Sequence, residues 1–367
     1  AGPCALISGT AMPPANSLLQ SSRPRFEVDG EDNERLGEAL LRLQIVESVD
    51  GLYRCEATFG NWGTRGRGPG FLYFDRQTLE FGKTFRVKLD QDDFFEGRIL
   101  GLEGIFPPDR APEITVLAED RLQDLRMTRR TRTFADQSDA DVFQRIASDH
   151  GLSAELDLTG PTHKVLAQLN QSDLAFLRDR ARVLGAELKL NGTTFRAGPR
   201  STGGSEALEL SYGRQLREFT VLADLAHQRT ALTASGWDVG AKSELRHEAT
   251  DDALGGELGD GDSGASVLRT ALGERKDALV HTVPLTAEEV RSTAESAFRL
   301  GARRFLRGRG IAEPRADLRV GATVNLVGLG PLFSGAYYVC DICHRFEGGA
   351  GLRTEFTGER PWIGRSE

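Results

Sequence analysis

Apolar and polar residues alternate along much of residues 25 to 125, the pattern of strands with one buried face. The strand-like runs include LLRLQIVES (40–48), KTFRVKL (83–89) and PEITVLAE (112–119). Turn signals such as Asp29-Gly30 separate these runs. The pattern predicts a first β domain over residues 25–125, preceded by a flexible arm over residues 1–24.

The hydrophobic period changes to a helical one after about residue 126. Ser138 and Ser172 each precede an acidic first turn and an apolar stripe, and Gly151 and Gly185 follow the two stripes. Asn191-Gly192 then predicts a hairpin turn. Residues 126–200 are therefore predicted to form a compact α/β insertion.

Strand-like patterns return after residue 206, and an acidic, Gly-rich stretch (TDDALGGELGDGDSGAS) is predicted to be a surface loop. Thr286-x-x-Glu289 opens an amphipathic run as a capping box does. The predicted units are the first part of a second β domain (201–284, with the acidic loop at 250–266), a helical segment (285–310), closing strands of the second β domain (311–362) and a tail (363–367).

Two distant stretches of the chain resemble each other. GKTFRVKLDQDDFFEGRILGLEGIF begins at Gly82, and GATVNLVGLGPLFSGAYYVCDICH begins at Gly321. In this match Phe95 and Gly97 lie over Phe333 and Gly335, while Cys340 and Cys343 lie over aliphatic positions of the first copy. An internal repeat of this kind predicts two similar β domains in one chain.

The composition is that of a globular protein, and it argues against some classes of partner. The 367 residues carry a formal net charge of −8, which argues against nucleic acid as the main partner, because phosphate binding requires a basic surface. No apolar run reaches the roughly 18 residues that a membrane-spanning helix needs. The first residues lack a basic stretch before the short apolar patch, so we expect synthesis and folding in the cytoplasm.

The sequence Cys340-x-x-Cys343-His344 has the spacing of a c-type haem attachment site. It lies in a segment of strong strand character, where residues three apart point to opposite faces. Buried cysteine also packs like a small apolar residue, which favours a structural role over a haem, redox or metal site. We therefore expect no cofactor and no metal.

Enzyme signatures are weak in this sequence. It contains no G-x-S-x-G, H-E-x-x-H or P-loop motif, and its six histidines are dispersed. Carboxylate pairs of the kind used by glycoside hydrolases are not excluded by sequence, so a peptidoglycan hydrolase stays as an alternative. The favoured expectation is a protein that is not an enzyme.

The order of four segments resembles the baseplate hub proteins of contractile phage tails, the phage late-control protein D family, which also forms the hub half of VgrG in type VI secretion. The segments are KTFRVKLD…FFEGRILGLEGIF, FADQSDADVFQRIASDHGL, NQSDLAFLRDRARVLGAEL and LFSGAYYVCDICHRFEGGAGLRTEFTGER. They cover roughly residues 25 to 362. Tyr338 and His344 match the family's closing strand, whereas the cysteines do not belong to its pattern.

The resemblance implies a mainly β fold with α+β insertions, in which each chain contributes two similar β-barrels to a homotrimeric ring of pseudo-sixfold symmetry. Such a ring joins the sixfold tail tube to the threefold spike. The implied partners are further copies of the chain, the spike protein, the tail tube ring, baseplate wedge components and a tape measure or cargo in the lumen. Because no spike-like segment follows residue 362 in this sequence, we expect the spike to be a separate polypeptide; the alternative is a sequence that is one piece of a longer chain with its own spike domain.

The internal match, the resemblance and the local charge together select the expected site residues, and the resemblance implies the location. Phe95, Gly97, Phe333, Gly335, Tyr338 and His344 are expected to be structural or assembly residues. A basic patch is a candidate partner contact, with a solvated face as the alternative; it comprises Arg126, Arg129, Arg130 and Arg132. We expect a component of a phage tail or injection-system particle that assembles in the bacterial cytoplasm.

Overall fold

A computed structural model describes residues 23–49, 51–66, 68–200, 207–280 and 284–365. Most of the predicted N-terminal arm and the last two residues of the predicted tail lie outside these ranges.

The first β unit is built from antiparallel strands whose inward-facing residues are apolar. Phe26, Leu43, Ala57, Phe85 and Val116 are almost fully buried in its core. The elements of this unit are β1 (Arg25–Val28), β2 (Glu31–Asp32), α1 (Glu34–Ala39), β3 (Leu40–Ser48), β4 (Arg54–Gly60), β5 (Trp62–Arg65), β6 (Gly68–Phe71), β7 (Thr84–Leu89), β8 (Asp92–Ile105), β9 (Glu113–Glu119) and α2 (Leu122–Arg126).

The α/β insertion has its own core, and the two helices predicted from sequence are confirmed. Ser138 caps the first helix with a capping box through Asp141, and Ser172 caps the second, which ends at Gly185 in a left-handed conformation. The elements are β10 (Arg129–Gln137), α3 (Asp139–Asp149), β11 (Ser153–Leu156), β12 (His163–Ser172), α4 (Asp173–Leu184), β13 (Ala186–Asn191) and β14 (Thr194–Pro199). The hairpin at Asn191-Gly192 joins β13 to β14, also as predicted.

The second β unit is interrupted by further α and β elements. Its core contains Leu216, Leu306, Val324 and Tyr337. The elements are β15 (Leu208–Ser211), β16 (Leu216–Ala223), β17 (Ala231–Asp238), β18 (Ser243–Ala249), a 3₁₀ turn (Asp251–Glu257), β19 (Asp262–Ser263), α5 (Gly264–Leu272), β20 (Lys276–Leu279), α6 (Ala287–Ala302), β21 (Leu306–Ala312), β22 (Thr323–Val327), α7 (Gly330–Phe333), β23 (Gly335–Glu347), β24 (Gly351–Arg360) and β25 (Trp362–Ile363).

One sheet of 13 strands runs through both β units. Its main path is β16-β21-β24-β23-β3-β4-β9-β8-β7-β1-β2, with β22 and β15 attached beside β23. The mainly β fold with α+β insertions is therefore confirmed. The structure departs from the two expected β-barrels in one respect. Over the described residues the strand path has two ends, so neither unit forms a closed barrel. The two units share a sheet because β3 pairs with β23.

Strands β17, β18 and β20 form a separate three-stranded sheet beside α6 rather than joining the large sheet. Their core includes Leu232, Ala234, Val290 and Phe298. Thr286 caps α6, as its sequence predicted. The predicted acidic loop folds more tightly than expected, because Glu257 forms an ion pair with Arg303 at 2.6 Å and Leu254 is buried in this core.

Replacing Gly185 by Ala is expected to destabilise the protein more than replacing Gly192 by Ala. Both glycines have left-handed backbone, with φ of 67° and 59°, so each substitution costs about 1 kcal/mol in backbone strain. A Cβ on Gly185 would also lie 2.8 Å from Ser296 Oγ of α6, whereas a Cβ on Gly192 meets nothing within 4 Å. Urea unfolding should show an additional loss of about 1 kcal/mol for Gly185→Ala. Equal losses would contradict a tight contact between α4 and α6.

Candidate assembly site

The two β units repeat one hairpin in hydrogen-bonded detail. The amide of Gly82 donates to the Ile99 carbonyl at 2.7 Å, and the amide of Gly321 donates to the Val339 carbonyl at 3.0 Å. Both glycines have positive φ, of 82° and 89°. Strand β7 pairs with β8 as β22 pairs with β23, so the sequence match between these segments corresponds to a structural repeat.

A β-bulge marks the same place in each copy. The register of β8 against β9 shifts between Ile99 and Gly101, and the register of β23 against β24 shifts between Val339 and Asp341. Leu100 and Cys340 are therefore the extra residues of equivalent bulges. After the bulge the two pairings continue in step, from Leu102 opposite Val116 in one unit and from Ile342 opposite Phe356 in the other.

The repeat extends two strands further. Strand β4 links β9 to β3, and β21 links β24 to β16 in the same order. A second pair of bulges occurs here, at Leu41 between β3 and β4 and at Arg217 between β16 and β21. Strand β3 is therefore the structural equivalent of β16.

The structural repeat corrects the register of the sequence match by two residues. The bulges place Cys340 over Leu100 rather than Leu102, and Cys343 over Glu103 rather than Ile105. Gly335 consequently corresponds to Phe95. The sequence match followed the shared Phe-x-Gly triplet, but this triplet lies within β8 in the first unit, whereas in the second it runs from the end of α7 to the start of β23.

The four residues of the Phe-x-Gly triplets have separate structural roles. Phe95 is buried and its ring packs edge-on against Tyr53 at 5.2 Å. A Cβ on Gly97 would lie 2.4 Å from the Glu119 carbonyl oxygen, so β8 passes too close to β9 for a side chain. Phe333 ends α7, where its carbonyl accepts from Tyr337 Oη at 2.8 Å, and Gly335 begins β23 with φ of 123°.

The side chains of Cys340 and Cys343 lie in two different depressions of the protein surface. Cys340 lines a cavity with Arg200 and Glu359, whereas Cys343 lines a groove with Arg345 and Glu355. Burial raises the pKa of both thiols, which disfavours the thiolate form that binds metals and attacks electrophiles. This arrangement agrees with a packing role for the two cysteines.

His344 is completely buried between the two β units. Its Nδ1 lies 2.9 Å from Thr354 Oγ1, and its ring packs edge-on against Phe94 at 4.8 Å. Nε2 has no hydrogen-bond partner within the described residues. Burial, and then the charge of Arg319, lower the pKa of His344 to about 3, so the imidazole is neutral at neutral pH.

Tyr338 connects the α/β insertion to the second β unit. Its hydroxyl donates to the Glu187 carboxylate on β13, and the Arg200 guanidinium lies 3.7 Å from the centre of its ring. Arg200 also forms ion pairs with Glu187 at 3.0 Å and with Glu359 on β24 at 2.7 Å. The three charged groups and the phenol are largely buried, so the network fixes the insertion against β23 and β24.

The junction between the two units is formed by β3 and β23. Residues Arg42 to Ser48 pair antiparallel with residues Asp341 to Glu347. Phe346, from the second unit, is 3% exposed and is a member of the core of the first unit. Arg319 reinforces the junction through an ion pair with Glu47 at 2.8 Å.

The basic patch is largely engaged within the chain. Arg132 and Arg130 lie 2.8 and 3.2 Å from the buried carboxylate of Asp173, at the N-terminus of α4. Arg126 pairs with Glu119 at 2.5 Å, and Arg129 donates to the Asn170 carbonyl at 3.3 Å. These contacts give Arg130 and Arg132 a structural role, and a partner contact by the patch stays a prediction.

A cleft of about 550 Å³ lies between the α/β insertion and α6. His163 bridges Asp139 at 2.9 Å and Glu289 at 3.2 Å, and Arg180 lies 2.6 Å from Asp139. Burial opposes ionisation of Asp139, but the hydrogen bond from Arg180 lowers its pKa overall. The carboxylate is therefore held ionised in an ion-pair network, unlike the protonated general acid of a glycoside hydrolase.

Metal ligands do not cluster in the part of the chain that the structure describes: no group of three or more His, Cys, Asp or Glu residues could hold an ion there. None of the helices in the described ranges is long and apolar enough to cross a membrane.

Replacing His344 by Gln should flatten the dependence of stability on pH. The pKa of about 3 in the folded state lies below the ordinary value near 6.5, so the unfolded chain binds more protons between these pH values. Stability of the parent should consequently fall on acidification through this window. Urea unfolding at about pH 7 and pH 5 should show a decrease about 2 kcal/mol larger in the parent than in His344→Gln. The same decrease in both proteins would contradict a neutral, buried His344.

Residues 78–348 match the family model described as the Alg8 N-terminal domain. A comparison with curated proteins found no match.

Solved structures share the fold over almost the whole chain. The 43 kDa tail protein of prophage MuSo2 from Shewanella oneidensis is 12% identical, with a TM-score of 0.67, and the match covers 93% of this chain and 99% of that one. A tail protein from Neisseria meningitidis MC58 is 12% identical, with a TM-score of 0.69 and coverages of 93% and 97%. The E. coli c3393 protein, a component of the type VI secretion system, is 12% identical, with a TM-score of 0.54 and coverages of 89% and 74%.

Proposed function

The chain belongs to the Alg8 N-terminal domain family, and we propose that it is a structural hub protein in the baseplate of a contractile tail or injection system. In this proposal three copies form a ring that joins the sixfold tail tube to the threefold spike. The ring assembles in the bacterial cytoplasm and becomes part of the particle. Its further partners are the wedge components around it and a tape measure or cargo in its lumen.

The observation that carries the proposal is the repeat of strand order, register and bulges in the two β units. A junction between sixfold and threefold partners needs six similar surfaces from three chains. A chain with two similar units meets that need, because three copies supply six units. The units are not identical, so the same ring retains only threefold symmetry wherever they differ.

The comparisons support the same assignment through fold. The tail proteins of prophage MuSo2 and of Neisseria meningitidis share the fold over more than nine-tenths of this chain and of their own chains. A type VI secretion component, E. coli c3393, shares it over most of its length, and that protein is structurally similar to the T4 bacteriophage tail proteins gp27 and gp5. A fold found in both kinds of apparatus favours a part that the two have in common.

The chemistry of the described residues also favours a structural role. The largest charged networks, around Arg200 and around Asp139, hold elements of the chain together. In each network the removal of one partner would leave a buried charge unpaired, so these residues are required to hold the elements together.

The mass of the purified protein tests the proposal. Light scattering should give about three times the 40.1 kDa of one chain. A protein that remains a single copy at every concentration would contradict a homotrimeric hub.

Replacing Cys340 and Cys343 together by Ala should leave the mass of the assembly unchanged. Both side chains face residues of the same chain, Cys340 beside Arg200 and Cys343 beside Arg345, so truncation should cost about 1 kcal/mol or somewhat more of unfolding free energy and should remove no contact between copies. Light scattering and urea unfolding of this variant check both expectations. Loss of the assembly with a folded monomer would instead assign the cysteines a role between copies.

A further inference from the structure

Strand β16 has an open edge. It is one end of the large sheet and pairs with β21 alone among the strands of the described residues. The amide of Asp224 donates to the Phe305 carbonyl on the β21 side at 3.0 Å. Because hydrogen-bonding direction alternates along a strand, Phe219, Val221 and Ala223 present their backbone amides and carbonyls to the open edge.

Strand β8 has a matching open edge after its bulge. Its first part pairs with β7 up to Arg98, whereas Gly101 to Ile105 pair on one side with β9 and have no second neighbour among the described strands. This second part is long enough for five pairs.

The equivalent edges are already joined inside the chain. Strand β3 is the counterpart of β16, and residues 341–347 of β23 are the counterpart of residues 101–107. At the junction between the units, the amide of Val49 donates to the Cys340 carbonyl at 3.0 Å, and Ile45 lies opposite His344. One chain therefore contains one complete junction, that of β3 with β23. It also carries the two strands of a second such junction, β16 and the second part of β8, which are not paired with each other.

Side-chain exposure distinguishes the completed junction from the open one. Phe346 is 3% exposed in the junction, whereas its counterpart Phe106 is 65% exposed. Leu43 is 2% exposed, whereas its counterpart Phe219 is only partly buried. Leu222 on β16 is 63% exposed. Large apolar side chains left uncovered at matching positions are typical of an interface.

An aromatic row continues this surface beside Phe106. Phe71 lies 6.3 Å from Phe106 and 5.2 Å from Trp62, between ring centres. Phe71 is 39% and Trp62 47% exposed. The open end of β8 therefore offers an apolar surface as well as backbone hydrogen bonds.

We propose that β16 of one copy pairs antiparallel with residues 101–106 of a second copy, in the register of the β3–β23 junction. Val221 then lies opposite Gly104, Leu222 opposite Glu103, and Phe219 opposite Phe106. The contact is head to tail, so it generates a ring when the rotation closes. The inference rests on the proposed function in taking the second copy to be this same chain. With three copies, three junctions within chains alternate around the ring with three junctions between chains.

A charge at Phe106 tests the surface. Phe106→Asp should retain the fold, since the side chain is mostly exposed, and should reduce the mass from three copies to one. Val165→Asp is the matched control, because Val165 is 60% exposed on β12 of the α/β insertion and should leave the mass unchanged. A trimeric Phe106→Asp protein would overturn the proposed surface.

A disulfide tests the register independently of stability. Leu222 and Glu103 would form a non-hydrogen-bonded pair across the contact, where Cβ atoms approach most closely. Oxidation of Leu222→Cys/Glu103→Cys should therefore give covalent dimers and trimers on a non-reducing gel. The control Leu222→Cys/Glu96→Cys should not, because Glu96 lies where β7 already covers the strand.

The outcomes separate this inference from the proposed hub. A trimer by light scattering that gives no crosslink overturns the strand pairing and leaves the hub assignment intact. A crosslinked assembly of another copy number supports the pairing and contradicts the trimeric hub. A protein that stays monomeric and does not crosslink overturns both.

Discussion

The pairing of β3 with β23 is the interaction on which the rest of the architecture depends. It places seven residue pairs between two strands that lie near opposite ends of the chain. It also buries Phe346 of one unit in the core of the other and encloses His344 completely. Without this pairing the large sheet would divide into two, and the ion pair of Arg319 with Glu47 would lose its geometry.

The junction also explains why the two units can resemble each other without being interchangeable. Both have the same strand order and the same two bulges, which fix where each strand bends and which edge it leaves open. The insertions differ: one unit is followed by β10 to β14, whereas the other is interrupted by β17 to α6. In the proposed hub the shared part meets a sixfold partner, and the insertions make the ring threefold.

Local features of this fold could be predicted from sequence, because local chemistry determines them. Ser138, Ser172 and Thr286 cap the helices that their sequences predicted, and Asn191-Gly192 forms the expected hairpin. The repeat was also visible, since Gly82 and Gly321 begin equivalent hairpins. The register was displaced by two residues because the Phe-x-Gly triplet that set it lies within β8 in one unit and across the end of α7 and the start of β23 in the other. The pairing of β3 with β23, the engagement of Arg132 by Asp173 and the separate sheet of β17 depend on contacts between distant residues, which a single sequence does not reveal.

The central claim is that two similar units in each of three chains form one ring. Class averages of the purified assembly in negative stain, viewed along the ring axis, test it most directly. The account predicts a closed ring with six similar inner lobes and projections repeating three times around the outside. An open filament, a twofold dimer or a ring with another number of lobes would contradict it.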